Sequence, residues 1–274
     1  MSEQLLNQYL FNNLNKYDLR NNLQDQLTVF GYSFIFWIAY FFIVNKTVEV
    51  KGVSKKSLND IKNRIVSATH GLSIVFLTSY HITIHNPQLD SSNSDFQQFV
   101  FIFSIAYFLY DSIACLYYGI DGIGIAIHHV MVVVAYLSSM TALYGGVECM
   151  YALFFAELSN FPMNARQCVR SMNLRYTNLH EFFEYTFIIL YIIARGIFVP
   201  FAVAHCVRSP VCPTLLKIIC LGLFAQSIYY IFEMLKGIKR RGKQQKERKQ
   251  KNIQYFWFQE NPEVQQLTYY RKIE

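Results

Sequence analysis

Seven apolar stretches punctuate the chain, at about residues 28–44, 65–84, 97–118, 123–144, 147–163, 182–204 and 214–235, with polar segments between them. A helix rises about 1.5 Å per residue, so about twenty apolar residues cross a hydrocarbon core about 30 Å thick. The first and fifth stretches fall short of that length. The fifth, VECMYALFFAELSNFPM, runs into Pro162, which favours a break there. The pattern predicts an all-α integral membrane protein of about seven transmembrane helices.

Charge placement sharpens the count. Only 16% of the 274 residues are charged and 53% are hydrophobic, against roughly 25% charged in a soluble domain. The 45–64 connection carries six basic residues, the 164–181 connection three, and the chain after residue 235 eleven. The alternate connections carry only Arg208, and the N-terminal segment adds Lys16 and Arg20. Seven crossings place all three basic segments on one face, as the positive-inside rule demands. The expected orientation is N-terminus out and C-terminus in, the inner side being cytosol, or matrix for a mitochondrial protein.

The flanks read differently from the middle. Residues 1–27 are polar and rich in Asn and Gln, without the basic-then-apolar pattern of a cleaved signal. Leu6, Tyr9, Leu10, Leu14 and Tyr17 recur at helical spacing, which suits an interfacial helix or a plain tail. The segment 28–59 holds the first span and a basic loop. Within 238–274, the run KGIKRRGKQQKERKQK lacks interleaved aromatics. Lipid headgroups or topology explain it better than nucleic acid, which is not an expected partner. The later stretch IQYFWFQENPEVQQLTYY suits a membrane interface or a docking peptide. Six scattered cysteines form no CxxC pair, so no metal site is assigned. Cys206 and Cys212 flank a short loop where an oxidising compartment would allow them to pair.

Ionisable residues inside the spans fall at one depth. His70, Asp111, the adjacent pair His128 and His129, and Glu157 each lie six or seven residues from the inner end of their span. That is roughly 9–10 Å below the inner face. Intramembrane charges are rare, so a shared layer suggests that they meet. The two histidines differ by about 100° around their helix, so they point different ways. Glu157, Asn160 and Asn164 form a polar stripe ending at Arg166. Arg195, mid-span, is expected to meet an acid, a carbonyl or a lipid headgroup. Glu181 and Glu184 sit where a helix N-terminus favours acids without any function, and His81 and His85 are expected at the outer surface, solvated. In such a layer a carboxylate fixes one imidazole tautomer, and the free nitrogen acts as base or acyl-accepting nucleophile. A network pinning helices together is the alternative.

Four stretches in order resemble the TLC domain of ceramide synthases, translocating-chain-associated membrane proteins and smaller TLC-domain-containing proteins. NRIVSATHG (63–71) resembles the opening motif, AYFLYDSIACLYY (106–118) the YFxYD helix, and IHHVMVVVAY (127–136) the paired-histidine helix. ALFFAELSNFPMNARQ (152–167) resembles the AELS segment of the smaller, non-synthase branch. The match runs over 60–237 and implies a helical bundle around an acyl-chain-sized cavity. In synthases the paired histidines and nearby acids support acyl transfer from acyl-CoA to a sphingoid amine; the match makes His128 and His129 that pair. Where synthases carry an HDxxD-like stretch, this chain has Ala156, Glu157 and Asn160, so one acid is kept and one lost.

Three functions follow as expectations. The first is binding of a membrane lipid or acyl chain in lipid homeostasis, with His70, Asn160, Arg166 and Arg195 as lipid contacts. The second is an acyl-CoA-dependent acyltransferase using His128, His129, Asp111 and Glu157. The third is an accessory subunit of a larger membrane complex whose partners hold the N-terminal segment and the tail. No resident cofactor is expected. The resemblance implies the endoplasmic reticulum or another endomembrane, with the mitochondrial inner membrane as the alternative.

Overall fold

The structure is a computed structural model, and it describes residues 16–120 and 122–270. The interfacial-helix expectation for Leu6 to Leu14, and the basic residues Arg271 and Lys272, lie outside the described residues. The architecture is all-helical. Its elements are α1 (Leu23–Thr47), α2 (Lys55–His85), α3 (Asp95–Tyr118), α4 (Ile123–Ala142), α5 (Gly146–Glu157), α6 (Asn160–Ser171), α7 (Asn178–Ile193), α8 (Val199–Arg208) and α9 (Thr214–Gln250). A π-helical segment, Ala194–Phe198, joins α7 to α8. Six helical units among the described residues are long and apolar enough to cross a membrane: α1, α2, α3, α4, the continuous α7–α8 unit, and α9.

The fifth apolar stretch is two helices. Pro162 lacks an N–H and its ring crowds the carbonyl four residues earlier, that of Leu158. The helix accordingly breaks at Leu158 and Ser159, and Pro162 sits inside the first turn of α6. The pair still runs the length of α2. Gly146 at its start meets Asn93 and Gln97 near the C-terminal end of α2, and Glu157 and Asn160 approach Gly71 at mid-helix. Ser171 at its end bonds Asp60, at 3.1 Å, near the N-terminal end of α2.

Two helices outrun their apolar stretches. α2 begins ten residues before its apolar run, on a Ser54 N-cap whose side chain accepts from the Ser57 N–H. α9 continues through the basic run to Gln250, because Lys, Arg, Gln and Glu are strong helix formers. The loop charges of 55–64 are therefore helical and partly buried: Asp60 pairs with Arg64 at 2.8 Å, and Lys62 donates to the Asn45 side chain and carbonyl at 2.8 Å.

α3 is the central helix. In its apolar window 61% of residues are buried, against 11% for α9, which lies at the periphery. Trp37 of α1, fully buried, donates its indole N–H to the Phe103 carbonyl at 3.3 Å and meets the His70 ring edge-on. Large apolar side chains such as Leu116, Ile123 and Phe201 face outward, the arrangement expected where the surroundings are hydrocarbon.

The tail corrects one expectation and fills in another. Glu181 and Glu184 are not idle acids at a helix start. Glu184 pairs with Arg241 at 2.8 Å and Glu181 with Arg248 at 3.1 Å, clamping α9 to the first turns of α7. The aromatic stretch docks on the chain itself: Ile253, Tyr255, Val264 and Leu267 surround Tyr176. Asn178 bonds the Tyr255 and Phe256 carbonyls. Burial there raises the Tyr255 phenol and the Glu260 carboxyl above their ordinary ranges. Trp257 and Phe258 remain exposed.

Candidate functional site

The layer of ionisable groups read from the spans comes together around one cavity of about 580 Å³. His70, Asp111, His128, His129, Glu157, Asn160, Arg166 and Arg195 all line it. Five helices and the π segment deliver them.

α2 and α3 build the deep wall. Asn63 donates to Asp111 Oδ1 at 2.8 Å and accepts from the Tyr110 hydroxyl at 2.9 Å. The Cys115 thiol, one turn on, reaches Asp111 Oδ2 at 3.7 Å. His70 is buried, stacked on Tyr107 with ring centroids 3.8 Å apart and 9° between planes, with Ser104 Oγ 3.4 Å from Nε2. It sits in the aromatic wall with its ring face covered, so it shapes the cavity more than it meets a ligand.

The paired histidines diverge as their helical offset requires. His129 turns to α3, its Nε2 3.5 Å from Asp111 Oδ2 and its Nδ1 3.1 Å from Ser112 Oγ. His128 turns to α9, its Nδ1 2.9 Å from Gln226 Oε1. The amide oxygen accepts, so Nδ1 carries the proton. In the neutral ring Nε2 then holds the lone pair. His129 is thus engaged on both nitrogens, and His128 is the ring with an acceptor to offer.

Glu157, buried, accepts from Asn160 Nδ2 at 2.6 Å, and Asn164 Nδ2 bonds the Asn160 carbonyl at 3.0 Å, so the polar stripe survives the helix break. Gly71 makes room for it: a Cβ there would lie 3.0 Å from Glu157 Oε2 and 3.2 Å from Asn160 Cβ. Arg195 finds a carbonyl, that of Ala156, at 3.3 Å, and Ser227 Oγ at 3.2 Å, with its guanidinium over the Tyr191 ring. The π segment sets that aim. Pro200 cannot donate back into the helix, and the ladder loosens one turn before it.

The mouth is basic. Arg64, Arg166, Arg170, Arg175, Arg240 and Arg241 join Arg195 on the lining, seven arginines against the four acids Asp111, Glu157, Glu184 and Glu233. Arg166 lies over Phe187 at 4.8 Å and 3.8 Å from Glu184. Apolar residues, among them Phe108, Ile125, Ile188 and Met234, complete the walls.

Sequence reading had not singled out Gln226, Ser227, Arg240 or Arg241 for this cavity. Gln226 and Ser227 are polar positions within an apolar span, a usable signal. Arg240 and Arg241 sit in a charge run that looks uniform along the chain. His81 is a correction: it is 3% exposed, bonded to Gln97 Nε2 at 3.0 Å and stacked on Phe96, not solvated. His85 is exposed as expected. Cys206 and Cys212 are free thiols, both buried.

Comparison with protein families agrees with this arrangement. The model of the TLC domain matches residues 60–236, from the start of the Asp60–Arg64 turn to the basic extension of α9. That covers well over half of the chain and every residue of the polar layer, and the protein belongs to the TLC-domain family.

Proposed function

We propose that this protein binds a membrane amphiphile with an anionic headgroup, in the service of lipid homeostasis. The supporting observation is one cavity that joins an arginine-rich mouth to a histidine and carboxylate layer between apolar walls. Arginine suits phosphate and carboxylate because its planar fork donates two parallel hydrogen bonds. Arg166, Arg170 and Arg175 hold the headgroup, and the acyl portion runs along Phe108, Ile188 and Met234. The reading includes seven crossings, with α5 and α6 together forming the fifth, the N-terminus outside and the basic end inside. The membrane is an endomembrane, with the mitochondrial inner membrane as the alternative.

Native mass spectrometry on gently extracted protein tests it. The expected spectrum shows a defined anionic lipid, depleted in the Arg166→Ala, Arg170→Ala double variant. A large assembly with stoichiometric partners and no selective lipid would sink the reading in favour of an accessory subunit.

A second reading rests on His128. It lines the cavity with Nδ1 held by Gln226, which leaves Nε2 the lone pair of a base, and this favours acyl transfer from acyl-CoA to an amine or hydroxyl. The acceptor's nitrogen or oxygen bonds the thioester carbonyl carbon while His128 takes its proton; the carbon–sulfur bond then breaks and His128 passes that proton to the departing CoA sulfur. His128→Ala should then abolish acyl-CoA-dependent product; product formation at the unmodified rate removes this reading and leaves the binding reading standing.

A further inference from the structure

At the end of the bundle opposite the cavity mouth, three connections converge: the loop after α2, the turn into α5 and the loop between α8 and α9. Four side chains with metal-binding atoms meet there. Asp90 comes from the first, Glu148 from the first turn of α5, His205 from the last turn of α8 and Cys212 from the last loop. Ligand atoms of Asp90, Glu148 and Cys212 lie within 4.8 Å of one another. His205 Nδ1 is 3.5 Å from Glu148 Oε1, and its Nε2 is 4.0 Å from Asp90 Oδ2.

The polar atoms in this cluster are poorly satisfied. Glu148 is 2% exposed; its Oε1 accepts the Asp90 N–H at 2.9 Å, but its Oε2 is buried with no hydrogen-bond partner among the described residues. Asp90 Oδ1 and His205 Nδ1 lack hydrogen-bond partners as well. Buried carboxylate oxygens are normally paired, hydrogen-bonded or bound to a metal. Among the described residues no lysine or arginine pairs with either acid; Lys217, on the adjoining turn of α9, donates to the Ser209 carbonyl instead. Among the described residues His205 is the cationic candidate in contact, and its partly exposed ring sits outside hydrogen-bonding geometry.

We propose that Asp90, Glu148, His205 and Cys212 form a site for one divalent metal ion, with zinc as the ion the donor set selects. One thiolate, one imidazole and two carboxylates together suit a borderline-soft ion without geometric preference. Tetrahedral bonds of about 2.0–2.3 Å set donors roughly 3.3–3.8 Å apart; Asp90, Glu148 and Cys212 draw in from within 4.8 Å of one another, and His205 joins them from beside Glu148 and Asp90. The ion cross-links three connections that are far apart in the chain and holds the closed end of the bundle. It also sets the fate of Cys212, a free thiol like Cys206: a metal-bound thiolate is withdrawn from disulfide formation.

The test uses full-length protein in detergent, stripped with a chelator and titrated with Co²⁺ and then Zn²⁺. The expected result is one equivalent of Co²⁺ with a sulfur-to-metal charge-transfer band, displaced by Zn²⁺. Glu148→Gln and Cys212→Ser should each weaken Zn²⁺ binding at least tenfold, on the order seen for lost metal-site contacts. The sulfur band should vanish in Cys212→Ser and persist in Cys220→Ser. Circular dichroism and gel filtration establish that each variant is folded. A folded wild-type protein with no stoichiometric cobalt band overturns the proposal. So does equal Zn²⁺ affinity in wild type and Glu148→Gln, or a Cys206–Cys212 disulfide in freshly isolated protein.

Discussion

His81 and His128 are both histidines inside apolar helices, yet they lie in opposite kinds of environment. His81 is sealed at one end of the bundle, where Gln97, Asn93, Gln98 and Ser139 bond to their neighbours with little exposed surface. His128, at the other end, bonds Gln226 and opens onto a cavity ringed with arginines. What the side chains meet makes the difference. At the sealed end, a Cβ on Gly146 would lie 2.5 Å from Asn93 Oδ1, so side chains interlock with no room to spare. At the cavity end the helices also approach closely at Gly71, but the break at Leu158–Ser159 and the π segment carry Glu157, Asn160 and Arg195 onto the cavity wall. The lesson is that a polar residue in a membrane helix becomes a joint or a site according to the packing around it.

Substitutions at the two ends should break that comparison unequally. The largest effect is expected for Asn93→Ala, which removes two bonds to Ser139 and strands the Gly146 N–H now held at 2.8 Å. A loss of about 3 kcal/mol or more is expected, read as thermal unfolding in detergent. Next come the histidines as a pair. His81→Leu leaves Gln97 Nε2 without its partner and should cost about 1–3 kcal/mol, whereas His128→Leu, facing open space, should cost less than about 1 kcal/mol. Equal losses in the two variants would erase the distinction between joint and site.

Glu184→Gln sharpens the comparison from the cavity side. It removes the acid that Arg241 and Arg166 share and should lower stability by about 1–2 kcal/mol, discounted for partial exposure. The same change adds to the positive excess of the lining. Binding of anionic lipid, measured by vesicle or nanodisc titration at low salt, should therefore rise while stability falls. The smallest effect is expected for Phe258→Ser: with its side chain exposed, unfolding should shift by no more than about 0.5 kcal/mol. A large drop there would mean that the aromatic tail carries weight beyond its contacts with Tyr176.

The apolar runs were legible because hydropathy over about twenty residues needs no tertiary information. Pro162 announced the break in the fifth stretch, although the break falls four residues earlier, at the carbonyl that the ring displaces. Helix ends were not legible in the charged segments. Lys and Glu continue a helix as readily as they solvate a loop, so α2 and α9 outrun their apolar cores.

Sequence by itself determined the membrane-helix class and the divergence of the paired histidines, because helical rise and rotation are local properties. Tertiary structure decided which polar groups meet. Glu184 with Arg241, His128 with Gln226, and Asp90 with Glu148, His205 and Cys212 are contacts between segments far apart in the chain. No local rule brings such residues together; only the packing of one helix against another does.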